Sequence, residues 1–457
     1  MDHDVIVIGG GSAGYAAANT AQRAGARVAI VDPGPLGGLC ILRGCMPTKT
    51  LLRSSDVCAL TARAAEFGLA PMRPQADMAA IIERKNRLID EFAQHRIGQL
   101  RDPRFTLIEE PAAFLSPHEI QAGDQRLRAR SFIIATGSVI HRDFPVPGLQ
   151  ATPCLTSDDV LRIRQLPDSL VVLGGGPVAV ELAQFFQRLG ARVTLLQRSP
   201  HILSAGDEDL ARPVEARFRE EGMQVFTGTN LQAVRTSGNL KEVVFEHEGR
   251  EKTASGQEIL QALGRRPHTG GLNLSAAQVE LGSRGIRVDA AMRTSQAHIF
   301  AVGDVNGLHE IVHIAIEQGE IAGHNAVDPE NLRRYDDRLK TSVVFTDPQV
   351  ASVGLSEKEC QAGGIAYRAA RYPFNDHGKS MCLGETHGHV KLLAKQNSGE
   401  LIGGHIVGPE AGELIHQLIA VMHFRGSAKD LLNMPHYHPT LSEIITYPAE
   451  ELAQGLP

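Results

Sequence analysis

Short, unbroken apolar runs alternate with helical stretches along this chain, and glycine clusters sit at the joints. The first run, Val5-Ile6-Val7-Ile8, is apolar at every position, which suits a strand covered on both faces. It leads into Gly9-Gly10-Gly11-Ser12-Ala13-Gly14 and an alanine-rich helix through Ala24, then a second run, Val28-Ala29-Ile30-Val31, that ends in Asp32. The same order returns later. Leu170-Val171-Val172-Leu173 enters Gly174-Gly175-Gly176-Pro177-Val178-Ala179, a helix from Val180 to Leu189 and the strand Arg192-Val193-Thr194-Leu195-Leu196. Between the two lie a polar, amphipathic helix from about Pro74 to Leu100 and a strand-rich stretch closing on Phe132-Ile133-Ile134-Ala135-Thr136-Gly137-Ser138. A similar closing recurs at Ile259-Leu260-Gln261-Ala262-Leu263-Gly264-Arg265-Arg266-Pro267, and His298-Ile299-Phe300-Ala301-Val302-Gly303-Asp304 precedes a helix from Val312 to Ala326. From about Leu339 strands and helices continue without a further glycine fingerprint, as expected of a packing or dimerisation segment.

A single G-x-G-x-x-G or G-x-G-x-x-A is weak evidence, because glycine also marks ordinary turns. Two such turns, each between a strand and a helix, carry more weight. Backbone N–H groups and a helix N-terminus can approach a pyrophosphate there, so the chain is expected to hold two dinucleotides.

Composition narrows the choice. A chain of 457 residues, 42% hydrophobic and with 46 glycines, accommodates roughly three domains, since single cores stop growing near ~250 residues. Its net charge of −6, with acidic and basic residues mixed, offers no basic stripe for nucleic acid. Met1-Asp2-His3-Asp4 is acidic where a secretory signal would be basic, and no segment approaches ~18 uninterrupted apolar residues, so a cytoplasmic protein with no membrane span is expected.

Cysteines occur at 40, 45, 58, 154, 360 and 382, too sparse for a secreted disulfide scaffold. Only Cys40 and Cys45 are close in sequence, and no second pair or local histidine supplies a zinc site, so no metal is assigned. Five residues of regular helix rise about 7.5 Å, more than the roughly 4.4–6.8 Å between Cα atoms that a disulfide tolerates. The pair therefore needs an irregular turn, which Gly44 permits. Helix is expected to begin close to Pro47, and a thiolate near that N-terminus would be favoured.

Taken in order, these motifs resemble the class I pyridine nucleotide-disulfide oxidoreductases, which include dihydrolipoamide dehydrogenase, glutathione reductase and mercuric reductase. The resemblance also takes in Phe345-Thr346-Asp347-Pro348-Gln349-Val350-Ala351-Ser352-Val353-Gly354 and His438-Pro439-Thr440-Leu441-Ser442-Glu443. It implies an α/β protein with two Rossmann-like domains, for FAD and NAD(P), and a C-terminal α+β dimerisation domain. The expected boundaries are 1–147 for the first part of the FAD domain, 148–268 for the NAD(P) domain, 269–338 for the return to the FAD domain, and 339–457 for dimerisation.

The resemblance places Gly9, Gly11, Ser12, Ala13, Gly14, Gly38, Lys49, Ala112, Thr136, Gly137 and Gly303 at FAD, with Asp32 on the adenosine ribose and Asp304 on the ribityl chain. A solvated loop carboxylate is the alternative for Asp32, and a helix cap for Asp304. It assigns Gly174, Gly176, Pro177, Val178, Ala179, Glu181, Gln197, Arg198 and Gly264 to NAD(P). Gln197-Arg198 stands where a ribose-binding carboxylate would favour NAD, so NADPH is favoured over NADH, with His201 a possible helper; an exposed surface charge is the alternative for Arg198.

The resemblance further implies that Cys45 faces the flavin, Cys40 exchanges with substrate, Lys49 and Glu181 pair beside the flavin, and His438 is the acid–base group oriented by Glu443. Thr440-Leu441-Ser442-Glu443 also reads as a capping box in which Glu443 merely satisfies a helix end. In relatives the histidine comes from the opposite subunit, so a homodimer is implied. His313 resembles a helix histidine of the lipoamide enzymes, with packing an equal alternative.

The expected activity is hydride transfer from NAD(P)H through FAD and the Cys40-Cys45 couple to a small disulfide, in the manner of dihydrolipoamide dehydrogenase. Mercury reduction by the usual route is disfavoured, because no cysteine follows Cys382, the chain ends Gly455-Leu456-Pro457, and His438 stands where tyrosine is usual. A quinone or metal-ion reductase and a flavin redox sensor without turnover are the alternatives.

Overall fold

The computed structural model describes residues 2–72 and 74–454. Met1 of the acidic N-terminus and the Gly455-Leu456-Pro457 ending lie outside the described residues. The architecture is mixed α/β, in two compact units.

One unit comprises Met1–Thr50, Ile82–Arg142 and Gly264–Asp336. Its seven-stranded sheet runs in the order Phe105–Ile108, Val28–Val31, His3–Ile8, Gln125–Ile134, Glu119–Ala122, Ala112–Ser116, and Ile299–Ala301 also pairs with Gln125–Ile134. The strands flanking His3–Ile8 are parallel to it. Val5, Ile6 and Val7 are fully buried, which explains the absence of alternation in that run. The alanine-rich helix Ser12–Arg23 packs on the helix Val312–Val327 at close range. A Cβ at Gly319 would fall 2.3 Å from the Ala13 carbonyl oxygen, and one at Gly323 2.4 Å from that of Ala17. Small residues on both helices bring the backbones together, and a Cβ at Gly303 would lie 3.3 Å from the Ala13 Cβ, so the start of the first helix packs on the Gly303 turn.

The other unit comprises Leu51–Ile81, Asp143–Leu263 and Asp337–Pro457. A parallel sheet orders Gln224–Phe226, Arg192–Leu196, Ser169–Leu173 and Glu258–Gln261, beside a three-stranded antiparallel meander from Asn230 to Gly256. The C-terminal part is a five-stranded antiparallel sheet, with Ala411–His423 and Thr446–Ala453 packed against its strands. Its core includes Phe374, Leu392, Ile406, Leu418 and Ile445.

Within this unit buried ions clip the parts together. Arg188, 4% exposed at its side chain, meets Asp56 at 2.8 Å, Glu221 at 2.7 Å and also Asp347. Gln184 on the same helix bonds both the Asp347 N–H and its carbonyl, at 2.7 and 2.8 Å. Lys391, fully buried, is held by Asp207 at 2.7 Å, Asp209 at 2.8 Å and Glu357 at 3.2 Å. Each cation satisfies several acceptors at once, the condition under which a buried charge is tolerated.

Candidate active site

The two glycine fingerprints use their glycines in two different ways. Gly9 has φ +106°, and a Cβ there would lie 2.4 Å from the Ala135 carbonyl oxygen; a Cβ at Gly14 would lie 1.8 Å from the Gly9 oxygen, and one at Gly38 2.6 Å from the Gly11 Cα. These three are glycine because the protein's own backbone fills the space. Gly11 differs: its φ is an ordinary −68°, and its Cβ would meet nothing nearer than 3.8 Å. It opens the N-terminus of Ser12–Arg23, which carries no side-chain cap and no acidic residue in its first turn. Uncapped N–H groups and open space are what an approaching diphosphate needs.

The second turn repeats the division. Gly174 has φ +112°, with its Cβ position 2.4 Å from the Ala262 oxygen, whereas Gly176, φ −78°, would meet nothing within 4 Å. The helix Pro177–Leu189 likewise has no side-chain cap and no acidic first turn. Pro177 occupies the first helical position, where its missing N–H costs no hydrogen bond. Val178 is exposed, Ala179 is buried, and Gly264, φ +116°, has free space around its Cβ position.

The Asp32 carboxylate accepts from Gly10 N–H at 2.5 Å and Gly34 N–H at 2.8 Å, so it is fixed at the strand end with lone pairs to spare. Ser12 and Ala13 open the first helix, and Ala112 begins an edge strand, half-buried. Thr136 donates to the His268 carbonyl at 2.6 Å, and Gly137 and Gly303 both have positive φ. Asp304 does not serve as a helix cap through its carboxylate; it accepts from the Ser138 hydroxyl at 2.6 Å, and Arg265 donates to that same hydroxyl at 2.8 Å.

At the end of the second unit's Arg192–Leu196 strand, Gln197 reaches the His201 carbonyl at 3.4 Å. Arg198 is exposed and makes no hydrogen bond or ion pair among the described residues. His201 faces Glu208 at 3.2 Å and Glu215 at 3.7 Å, two carboxylates that argue against its helping to hold a phosphate.

The cysteines lie where a helix breaks and restarts. Gly38–Leu42 is one short helix; Arg43 and Gly44 interrupt it; Cys45–Ala62 is the next. Gly44 crosses tightly behind Cys40, its Cβ position 3.1 Å from the Leu39 oxygen and 3.3 Å from the Cys40 Cα, so a side chain there would push the two apart. Regular helix begins at Cys45, two residues before Pro47. Both thiols are free. A hydrogen bond to Cys45, then burial, pushes the Cys40 thiol above the ordinary cysteine range. For Cys40 that direction runs against the thiolate expected beside a helix N-terminus, because its neighbour and its burial disfavour the charged form.

One residue near this turn carries no sequence signal that sets it apart. Arg96, on Met78–Leu100, stacks 4.4 Å above the Tyr15 ring, and its Nε and one terminal nitrogen are buried without a partner among the described residues. Burial lowers its pKa, and Tyr15, then Cys40, oppose that shift. A guanidinium with unused N–H groups beside the first fingerprint helix suits a diphosphate, and with the open Gly11 it indicates that the residues present fit FAD.

In the second unit, Glu181 is 3% exposed and accepts from the Phe345 N–H at 2.9 Å, tying the fingerprint helix to the 345–348 loop. Further along, His438 Nδ1 meets the two Glu443 carboxylate oxygens at 3.1 and 3.0 Å. The imidazole is 81% exposed while the carboxylate is 13% exposed, so a half-buried anion holds one edge of an accessible ring. The Thr440 hydroxyl turns instead to the Tyr437 carbonyl at 2.7 Å, so Glu443 is committed to His438 and not to a capping box. Buried behind Glu443 is His377, Nε2 3.5 Å from Oε1, which the sequence reading did not single out. His313 is exposed on the first turn of its helix.

Among the described residues no helix is long and apolar enough to cross a membrane, and no group of three or more His, Cys, Asp or Glu could hold a metal ion. Comparison with known proteins matches residues 3–319 to the pyridine nucleotide-disulphide oxidoreductase family and residues 341–449 to the dimerisation domain of that family. A dihydrolipoyl dehydrogenase of Thermus scotoductus is 34% identical over 98% of this chain and 97% of its own length. A mercuric reductase of Staphylococcus aureus is 33% identical over 97% of this chain and 81% of its own. Among solved structures, the HOCl-induced flavoprotein disulfide reductase RclA from Escherichia coli superimposes with a TM-score of 0.86 at 25% identity, over 98% of this chain and 99% of that one.

Proposed function

The chain belongs to the pyridine nucleotide-disulphide oxidoreductases, a family of flavoprotein oxidoreductases that use FAD and NAD(P)H, and on that premise we propose that it reduces a small disulfide with NADPH, as a homodimer. The observation that carries the reading is the His438–Glu443 pair: an accessible imidazole with one nitrogen held by a carboxylate and the other left for a proton. Bound FAD would accept hydride from the nicotinamide and supply two electrons to the Cys40–Cys45 disulfide. Gly9, Gly11, Ser12, Ala13, Gly14, Asp32, Gly38, Ala112, Thr136, Gly137, Gly303 and Asp304 would hold it, with Lys49 and Glu181 in the roles that the resemblance gives them.

The chemistry of the chain's own groups balances as follows. Reduced Cys40, its proton passed to His438, attacks one sulfur of the substrate disulfide, forming a mixed disulfide and expelling a thiolate. His438 returns the proton to that thiolate. Cys45 then attacks the Cys40 sulfur, releasing the second thiol and restoring the Cys40–Cys45 disulfide. The sum is NADPH, H⁺ and one disulfide giving NADP⁺ and two thiols. Arg198, exposed and uncommitted at the strand end, supports NADPH by offering a guanidinium to the 2′-phosphate.

Steady-state turnover with NADPH and NADH against lipoamide, glutathione disulfide, a quinone and Hg(II) tests the reading. Sustained turnover of a disulfide is expected, and it should vanish in Cys40→Ser. Reduction of the flavin without turnover of any disulfide would overturn it in favour of a sensor; activity on quinone or Hg(II) that survives Cys40→Ser would overturn it in favour of a simpler reductase.

A further inference from the structure

His377 is fully buried, between the 3-10 turn Phe374–Asp376 and the helix Gly378–Leu383. Its Nδ1 lies 2.8 Å from the hydroxyl of Ser380, itself fully buried, and its Nε2 makes no hydrogen bond among the described residues, with Glu443 Oε1 3.5 Å away. The Tyr447 ring stands edge-on to the imidazole at 6.2 Å and is stacked on Tyr372 at 4.1 Å. The groups facing His377 are thus Glu443, His438 beyond it, Tyr447 and, on its own segment, Ser380. The Asp376 carboxylate accepts from the Tyr372 hydroxyl at 3.1 Å.

From this juxtaposition we propose that His377 is a positioning residue for the His438–Glu443 pair: as a neutral imidazole it directs Nε2–H at Glu443 Oε1 and fixes the carboxylate that orients His438. The inference rests on the reading that His438 handles the protons of disulfide exchange. In this tautomer the Ser380 hydroxyl donates to Nδ1, and the ring hydrogen is on Nε2, toward the carboxylate. Burial holds the His377 pKa below its ordinary value, so the ring is neutral at physiological pH and does not cancel the Glu443 charge that His438 requires. Glu443 then faces one histidine on its buried side, at 3.5 Å, and holds another on the accessible side, at 3.0 Å. Such supporting donors commonly decide how firmly a functional group is aimed.

The test separates aim from packing. The rate at which diethyl pyrocarbonate modifies His438 in the holoenzyme, followed by peptide mass against pH, reports the titration of that imidazole without any turnover. In His377→Phe, which keeps a ring against Tyr447, loss of the donor leaves Glu443 more basic, and the His438 midpoint is expected to rise by about half to one unit. Disulfide turnover should fall by about ten-fold with flavin reduction by NADPH unchanged. His377→Gln, which places an amide N–H near the Nε2 position, should restore both. An unshifted His438 midpoint in His377→Phe, or equal impairment of Phe and Gln variants, overturns the proposal. If His377→Phe does not accumulate as folded flavoprotein, Ser380→Ala decides: a midpoint displaced in the same direction is expected, and an unchanged one refutes it. A wild-type enzyme that turns over no disulfide refutes the functional reading instead, and the modification titration still reports on His377.

Discussion

Replacing Gly11 and Gly14 by alanine separately should give opposite failures, though the two glycines stand three residues apart in one fingerprint. At Gly14 the new Cβ would sit 1.8 Å from the Gly9 carbonyl oxygen and 3.2 Å from the Ala135 Cβ. No rotamer relieves a clash of Cβ with backbone, so Ser12–Arg23 must move away from the strand His3–Ile8. That helix cannot retreat freely, because Gly319 and Gly323 already bring Val312–Val327 against the Ala13 and Ala17 carbonyls. Overpacking of this kind costs about 1–3 kcal/mol or more, so Gly14→Ala should lower the Tm of the apoprotein and yield little folded material.

At Gly11 the backbone is already in an allowed region and the Cβ has 3.8 Å of clearance. Alanine there should leave the apoprotein Tm unchanged or slightly raised, since it removes about 0.4–1 kcal/mol of unfolded-state freedom. On the proposed function it fills space that the FAD diphosphate would take, and an intruding methyl costing about 1–3 kcal/mol corresponds to roughly a 5- to 150-fold loss of FAD affinity. The assay is flavin content on purification together with reconstitution of apoprotein by FAD, read by quenching of flavin fluorescence, beside thermal melts of apo forms. Gly176→Ala is the matched control: it should retain flavin and lose affinity for NADPH. A Gly11→Ala protein that binds FAD as tightly as wild type would refute the view that this open glycine faces the cofactor.

Other positions give independent checks. His405 is buried, and burial pushes its imidazole down to about 4, with the Lys391 charge adding to the depression. Below about pH 6.5 the unfolded chain binds a proton that the folded chain refuses, so stability should decline as pH falls from 6.5 toward 4, by up to about 3 kcal/mol. His405→Gln should flatten that part of the wild-type profile of Tm against pH; an unchanged profile would refute it. Lys391→Met strands Asp207, Asp209 and Glu357, and removing one member of such a buried cluster costs about 3–5 kcal/mol; a loss under about 1 kcal/mol in denaturant unfolding would show that Arg371 and His389, which also contact Asp209, suffice. Arg198→Ala should raise KM for NADPH by about ten-fold or more while leaving NADH unaffected, and an unaltered ratio removes it from phosphate recognition. Cys45→Ser should abolish the long-wavelength absorption formed on two-electron reduction and Cys40→Ser should keep it; the reverse pattern would exchange their roles.

What was legible in the sequence was whatever depends on neighbours along the chain. The apolar runs at Val5–Ile8 and Leu170–Leu173 announced doubly covered parallel strands because each residue of a covered strand meets a wall. The glycine turns were legible for the same reason, since the demand for positive φ at Gly9 and Gly174 is local. The interruption between Cys40 and Cys45 followed from helix rise alone. Sequence did not reveal which glycines answer to backbone and which to open space, because Ala135 and Ala262 approach from strands more than eighty residues away. Arg96 reads as one more charge on an amphipathic helix, and only its lack of acceptors, a three-dimensional fact, marks it. His377 was lost among nineteen histidines for a related reason: Glu443 comes to it from a segment sixty-six positions on, beyond any spacing rule.

The cysteine pair shows how a local expectation can fail while its larger premise stands. A helix N-terminus favours a thiolate by a modest electrostatic contribution within its first turn, whereas a neighbouring sulfur and burial act on Cys40 directly. Both disfavour the charged form of Cys40. A thiol so held is a poor nucleophile on its own, so disulfide exchange at this pair needs a separate base. On the proposed function that base is His438, whose accessible ring is held at Nδ1 by Glu443.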